Sequence, residues 1–350
     1  MTGRDLHPKP PRSRKFNGEV PMNRIGKWWV GLALAGLMLA SGWGAEGAQK
    51  FRVGIHRALF GSFEVVADRM GYWKAEGLDY SIAYFKQGKL MNRAIIQGDL
   101  DVGTTGFAPF VTSVSKGAKL TGIAVTTDLC AQQRVMVPKN SPIKSIKDLK
   151  GKTFATLIGT SVDQAFRTAV LPRHGLTEKD LKWLNVVTTD RVAALVAGNA
   201  DAALVGDPQA EIAAQKGLVR DLEDLCAYDR PRMMHIGNPQ TIKANPEQYV
   251  KYFRGWLKAM KLLKDDPEKF AKVYHEALTE VGDKTEYSVV LATLKRLTTT
   301  PEINDEIRKN LAEIAAMQKK LGWVKSTPDF TKGAAMDDSM LKKAGGFPKN

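Results

Sequence analysis

Cysteine is scarce in this 350-residue chain, which holds two, and that excludes a disulfide-stapled miniature fold and a Cys-ligated metal cluster. Histidine is nearly as rare. His56 and His235 stand in no metal-ligand spacing such as H-E-x-x-H and have no acids close by in sequence, which points to structural roles and to no metal. No nucleophile elbow, P-loop or G-x-G-x-x-G follows an expected strand, so neither a catalytic arrangement nor a cofactor is expected. With 43% apolar and 25% charged residues, the bulk of the chain is neither disordered nor collagen-like.

The uncharged run from Trp28 to Ala40 is short for a membrane span, which needs about 20 residues. Arg24 and Lys27 precede it and Gly and Ala crowd the stretch after it, the pattern of a secretory signal cleaved near residues 44–48. Residues 1–48 therefore read as leader and signal peptide, with Met22 as a second candidate start, and the mature chain as a soluble periplasmic protein. No cysteine near the cleavage site offers itself for acylation.

Lys and Arg number 52 against 37 Asp and Glu, a formal charge of +15. The basic residues are dispersed along the chain, which fits a solvated surface with a mild preference for anions and argues against nucleic acid as partner. Cys130 and Cys226 lie 96 positions apart in a chain expected to reach an oxidising compartment. Sequence leaves open whether they pair or remain two buried thiols.

From Phe51 onward, β-rich runs alternate with helical stretches: strands over 51–55, 78–85, 101–106 and 120–127, with helices from Ser62, from Lys89 and after Pro109. A second series follows with strands at 134–138, 153–159, 183–187 and 201–206 and helices at 161–171, ended by Pro172, and at 191–197. Such alternation builds α/β sheets flanked by helices, whose ligand crevice lies beyond the carboxyl ends of the strands. Beyond Pro231 the pattern is helical, over 246–264, 267–281, 285–297 and 302–320, and the polar stretch from Ser326 is expected to wrap the surface.

Four segments, in order, resemble the solute-binding proteins of ABC importers in the group that binds nitrate, taurine, alkanesulfonates and thiamine precursors. They are FEVVADRMGYWKAEGLDY (63–80), IIQGDLDVGTTGFAPF (95–110), VMVPKNSPIKSIKDLKGKTFATLIGTS (135–161) and VAALVAGNADAALVGDP (192–208), and GAAMDDSMLKKA (333–344) is similar to the group's C-terminal stretch. The resemblance implies a two-lobe periplasmic binding protein of type II, each lobe a mixed sheet flanked by helices, with the ligand in the cleft between lobes. Lobe one would comprise 49–130 plus 233–350 and lobe two 131–232. Cys130 and Cys226 then fall close to the crossovers, which favours their pairing. The implied partners are a small-molecule ligand and an ABC permease with its ATPase, the protein acting as a monomer.

In such a fold the loops after strands carry the ligand contacts, and each opens a helix whose free N–H groups favour anions. Arg57 could clamp a carboxylate or sulfonate, and Lys89 sits at a helix start where a cation opposes the dipole. Phe60 and Phe107 would form aromatic walls and Thr105 a polar contact. Thr160 and Ser161 match the group's "G-S-S" loop, while Thr189 and Asp190 read as helix caps. Gly206-Asp207-Pro208 departs from the group's Trp-Glu-Pro. Asp207, with Asp128 as a second acid, then favours an amine-bearing or heteroaromatic solute over nitrate. The same fold also serves thiamine-pyrimidine synthases, whose cysteine-rich motif is lacking here, and periplasmic sensing partners of membrane receptors. Capture and delivery of a small organic solute, not enzyme catalysis, is the expected function.

Overall fold

The computed structural model describes residues 50–298 and 301–346; the expected signal peptide lies outside them. Two five-stranded mixed sheets organise the chain. The first has the order β2 (Tyr80–Phe85), β1 (Phe51–His56), β3 (Val102–Gly106), β10 (Arg232–Gly237), β4 (Thr121–Asp128). The second runs β7 (Lys182–Asn185), β6 (Thr153–Thr156), β8 (Ala202–Gly206), β5 (Gln133–Pro138), β9 (Val219–Glu223). In each sheet the parallel strands are followed by helices, except the last, β4 or β9, which leads into a crossover, and the strand that arrives from the other sheet runs antiparallel. β10 pairs antiparallel with β3 and β4, and β5 with β8 and β9.

Three elements depart from the expected pattern. β10 was expected to belong to a helical region, but RMMHIG is buried at every position and so shows no alternation of polar and apolar faces. β9, VRDLE, is a polar edge strand whose sequence signal is weak. The helix after Gly159 is not stopped by Pro172. It runs Ser161–Ala165, loosens into a π turn at Phe166–Val170, and closes with Leu171–Arg173. A π turn just before the proline fits the missing N–H and ring clash that a regular helix would not accommodate.

The first sheet is covered by helices Ser62–Arg69, Pro246–Asp265 and Pro267–Glu280, through a core that includes Phe51, Phe63, Trp73, Tyr252, Trp256 and Phe270. A polar chain is sealed inside it. His235 Nε2 lies 2.9 Å from Glu64 Oε1 and 2.8 Å from the Tyr252 hydroxyl, with His235 0% and Glu64 1% exposed. The C-terminal stretch does not merely wrap the surface. Phe330 and Leu341 are fully buried, and Met336 bridges to Gly122 beside β4.

The two connections between the sheets pass through short turns, Cys130–Gln132 after β4 and Leu225–Ala227 after β9. Cys130 and Cys226 join them by a disulfide with Cα atoms 4.9 Å apart. The chain is thus pinned where it changes sheets.

Candidate functional site

The carboxyl ends of the parallel strands gather a set of buried polar atoms without hydrogen-bond partners. His56 Nε2 ends β1, Ser62 Oγ opens the next helix, and Thr105 Oγ1 lies near the end of β3. The β1–β3 register, Val53 opposite Val102, brings His56 level with Thr105. From the second sheet comes Thr156 Oγ1 at the end of β6, and from the first crossover Gln132 Oε1. Buried polar groups are ordinarily paired, so such a cluster at strand ends marks where a ligand would supply the partners.

Direct contacts bring these strand ends together. Ser161, which opens the helix after β6, accepts a hydrogen bond through Oγ from the Ala108 N–H at 3.0 Å. Ala108 lies in the first turn of helix Phe107–Ser115, so a side-chain oxygen of one half meets the N–H groups of a helix from the other. Gly106 makes that approach possible, since a Cβ there would collide with the Ser161 hydroxyl. Gln318 closes the same side: its Nε2 donates to the Ala108 carbonyl at 2.9 Å and to Gln164 Oε1 at 2.8 Å, and its Oε1 accepts from the Thr112 hydroxyl at 3.0 Å.

Electrostatics separate the two halves of the site. His56 is 6% exposed, and burial lowers its pKa to about 4 against a hydrogen bond to the Thr104 backbone, so the ring is neutral at pH 7. Arg191 in the second half is 1% exposed and donates to the carbonyls of Leu204 at 2.5 Å and Val186 at 3.0 Å. Desolvation lowers its pKa to about 10, which still leaves it charged. Among the described residues no carboxylate lies within ion-pair distance of it, and the Asp163 charge, acting through space, offsets part of the positive potential that it places at the ends of β7 and β8.

The residues singled out from sequence fall into three groups. Thr105 belongs to the unpartnered buried polar set, Ser161 is buried with its Oγ bonded to the Ala108 N–H, and Phe60, half-buried beside the crossover, sets its edge against His56 with ring centroids 4.7 Å apart. Thr160 caps its helix, accepting from the Asp163 N–H at 3.3 Å. Arg57 and Lys89 are exposed, Arg57 lying 5.2 Å over the Tyr84 ring.

Four expectations are corrected. Phe107 is no cleft wall: the helix starts at Phe107 itself, with Pro109 inside its first turn, and the ring is fully buried among Phe110, Ile236 and Leu311. Asp128 does not face a ligand, because Arg232 at 2.9 Å and Arg230 at 3.3 Å hold its carboxylate. Asp207 is likewise engaged, by Arg296 at 2.6 Å, with Arg134 at 4.0 Å. Burial raises the Asp207 pKa while Arg296 opposes the shift. Asp190 makes no capping bond and instead accepts from the Thr189 hydroxyl at 2.8 Å.

A cavity of about 610 Å³ lies elsewhere, lined by Thr121, Ile242, Lys243 and Met336. Thr121 begins β4, at the end of the strand away from the crossover, so this cavity is separate from the site.

Two α/β halves, linked by two crossovers and facing each other across their strand ends, define the periplasmic binding protein fold. Residues 62–270 match the family model described as NMT1/THI5 like, and the chain belongs to that family. It is 30% identical over 198 residues to an Escherichia coli (strain K12) protein named for binding aliphatic sulfonates, an alignment that spans 56% of this chain and 62% of that relative's length. The crystal structure of the periplasmic aliphatic sulphonate binding protein SsuA from Escherichia coli superposes with a TM-score of 0.70 at 22% identity, covering 81% of this chain and 96% of SsuA. The alkanesulfonate-binding protein SsuA from Xanthomonas axonopodis pv. citri, bound to MOPS, gives 0.71 at 20% identity, covering 82% and 98%.

Proposed function

We propose that this protein is an extracytoplasmic solute-binding protein that captures a small organic anion, an alkanesulfonate or a taurine-like solute, and delivers it to an ABC permease. The observation that carries the reading is the buried, unpartnered polar set shared by the two sheets, His56, Ser62 and Thr105 against Thr156. Hydroxyls, a neutral imidazole and helix N-termini can hold an oxyanion without a dedicated counter-ion. The charge balance supports an anionic head. Both acids that would have welcomed an amine, Asp128 and Asp207, are neutralised by arginines, whereas Arg191 is a buried cation that donates to carbonyls and feels the Asp163 carboxylate only through space among the described residues.

On this reading lobe one is 49–130 plus 233–350, lobe two is 131–232, and residues 1–48 direct export. A ligand that touches both lobes only when they meet shifts the open and closed populations by its differential affinity. The closed form is then what the permease receives, and no bond to the solute is made or broken. Names of relatives support the anion class, since both the E. coli relative and the Xanthomonas structure are named for sulfonates.

A thermal-shift panel tests this. Alkanesulfonates of increasing chain length and taurine should raise Tm, by a stabilisation of about 2.7 kcal/mol at 100 times Kd. Stabilisation by amines and heteroaromatic bases alone would contradict the anionic reading.

A further inference from the structure

Arg296 lies beyond helix Tyr287–Leu294, whose Val290 and Leu294 are buried in the core of the first sheet. Its guanidinium nevertheless grips the second half: Nη1 is 2.6 Å from Asp207 Oδ2 and Nη2 is 2.7 Å from Glu211 Oε2. Asp207 has a side chain with 0% exposure and an Oδ1 that makes no hydrogen bond. The other cation nearby, Arg134, is 4.0 Å from Asp207, 3.1 Å from Glu211, and also bound to Asp221. Asp207, Glu211, Arg134 and Asp221 all belong to the second half and stay together when the halves part. Arg296 leaves with the first.

Bringing the halves together removes water from the Asp207 carboxylate, and a buried carboxylate without a cation is costly. Arg296 supplies that cation at the moment of closure. We infer that Arg296 is a positioning residue for capture: it makes closure favourable and so sets how long a solute is held, without touching the solute itself. Gln318, bridging Ala108 and Gln164, flanks the same junction with neutral hydrogen bonds. The charged contact therefore adjusts the strength of closure, while the hydroxyl and helix-end contacts select the solute. Specificity and residence time are thereby assigned to different residues.

The test has two arms, of which the second rests on the proposed solute class and the first does not. Small-angle scattering of the ligand-free full chain should show a larger radius of gyration for Arg296→Gln than for the parent protein. The Asp207→Asn change in the Arg296→Gln background should bring it back, because the buried charge is gone. Stopped-flow dissociation of ethanesulfonate should be about tenfold or more faster in Arg296→Gln, with the rank order of alkanesulfonate chain lengths unchanged. Glu211→Gln, on a partly exposed helix, is the second handle should Arg296→Gln fold poorly, and should show a smaller change in the same direction. An unchanged radius of gyration in Arg296→Gln and Glu211→Gln overturns the inference. If the parent protein does not bind ethanesulfonate, the solute class fails while the scattering arm still decides the role of Arg296.

Discussion

The Ser161 hydroxyl accepts a hydrogen bond from the Ala108 N–H at 3.0 Å, a contact between residues 53 positions apart that joins a helix start beneath one sheet to a helix start beneath the other. It depends on the glycine at 106. Gly106→Ala would force its Cβ into the Ser161 hydroxyl and hold the halves apart. Solute affinity should fall at least about tenfold, with thermal unfolding still cooperative. Gly106→Ala combined with Ser161→Gly should regain part of the loss; calorimetric titration of the three proteins would expose an independent cause if it does not.

His56 gives the stability a defined pH dependence. Its pKa is lowered to about 4 by burial, whereas an unfolded histidine titrates near 6.5. Between those values the unfolded chain binds more protons, so this stabilisation is complete above pH 6.5 and is lost as the pH falls toward 4. The effect is at most about 3 kcal/mol. Urea unfolding at pH 7.0 and 4.5 should show a drop that is smaller in His56→Gln; equal drops would remove His56 as the source.

Glu64 is tested by stability alone. Replacing it by Ala removes the buried contact to His235 Nε2, leaves that nitrogen with the Tyr252 hydroxyl alone and opens a gap in a sealed core, at a cost of about 1–3 kcal/mol. Denaturant midpoints measure this, and a change below about 0.5 kcal/mol would mean the pair relaxes around the loss.

The disulfide closes a loop of 96 residues and ties both crossovers. Unfolded without reductant, the protein should yield no titratable thiol. Cys130→Ser with Cys226→Ser should lose about 2–5 kcal/mol by the chain-entropy account. Two free thiols in the unreduced protein would contradict the bond.

The layered α/β architecture was legible because short β-rich runs and helical periodicity alternate cleanly through residue 215. β10 was missed because a strand buried on both faces has no alternation, and its Met-Met-His core reads equally well as helix. For the candidate site, local pattern pointed to Thr105 and Ser161 as residues near a strand end and at a helix start, which is where the structure puts both. It misassigned Phe107 by one helical turn. It could not supply Arg296 for Asp207 or Arg232 for Asp128, because these partners lie 89 and 104 positions away and no motif marks them. An acid read in isolation was thus given to a ligand when the chain provides its own cation. Arg191 and Gln318 carried no signal beyond ordinary helix composition.

On the proposed function, the buried polar set between the halves binds an organic anion. Isothermal titration of ethanesulfonate and taurine into the protein and into Thr105→Val and Thr156→Val tests it directly. Binding to the parent protein with at least about tenfold weakening in both variants, one from each sheet, is the expected result. Equal affinity in all three proteins would place the solute elsewhere and contradict the account.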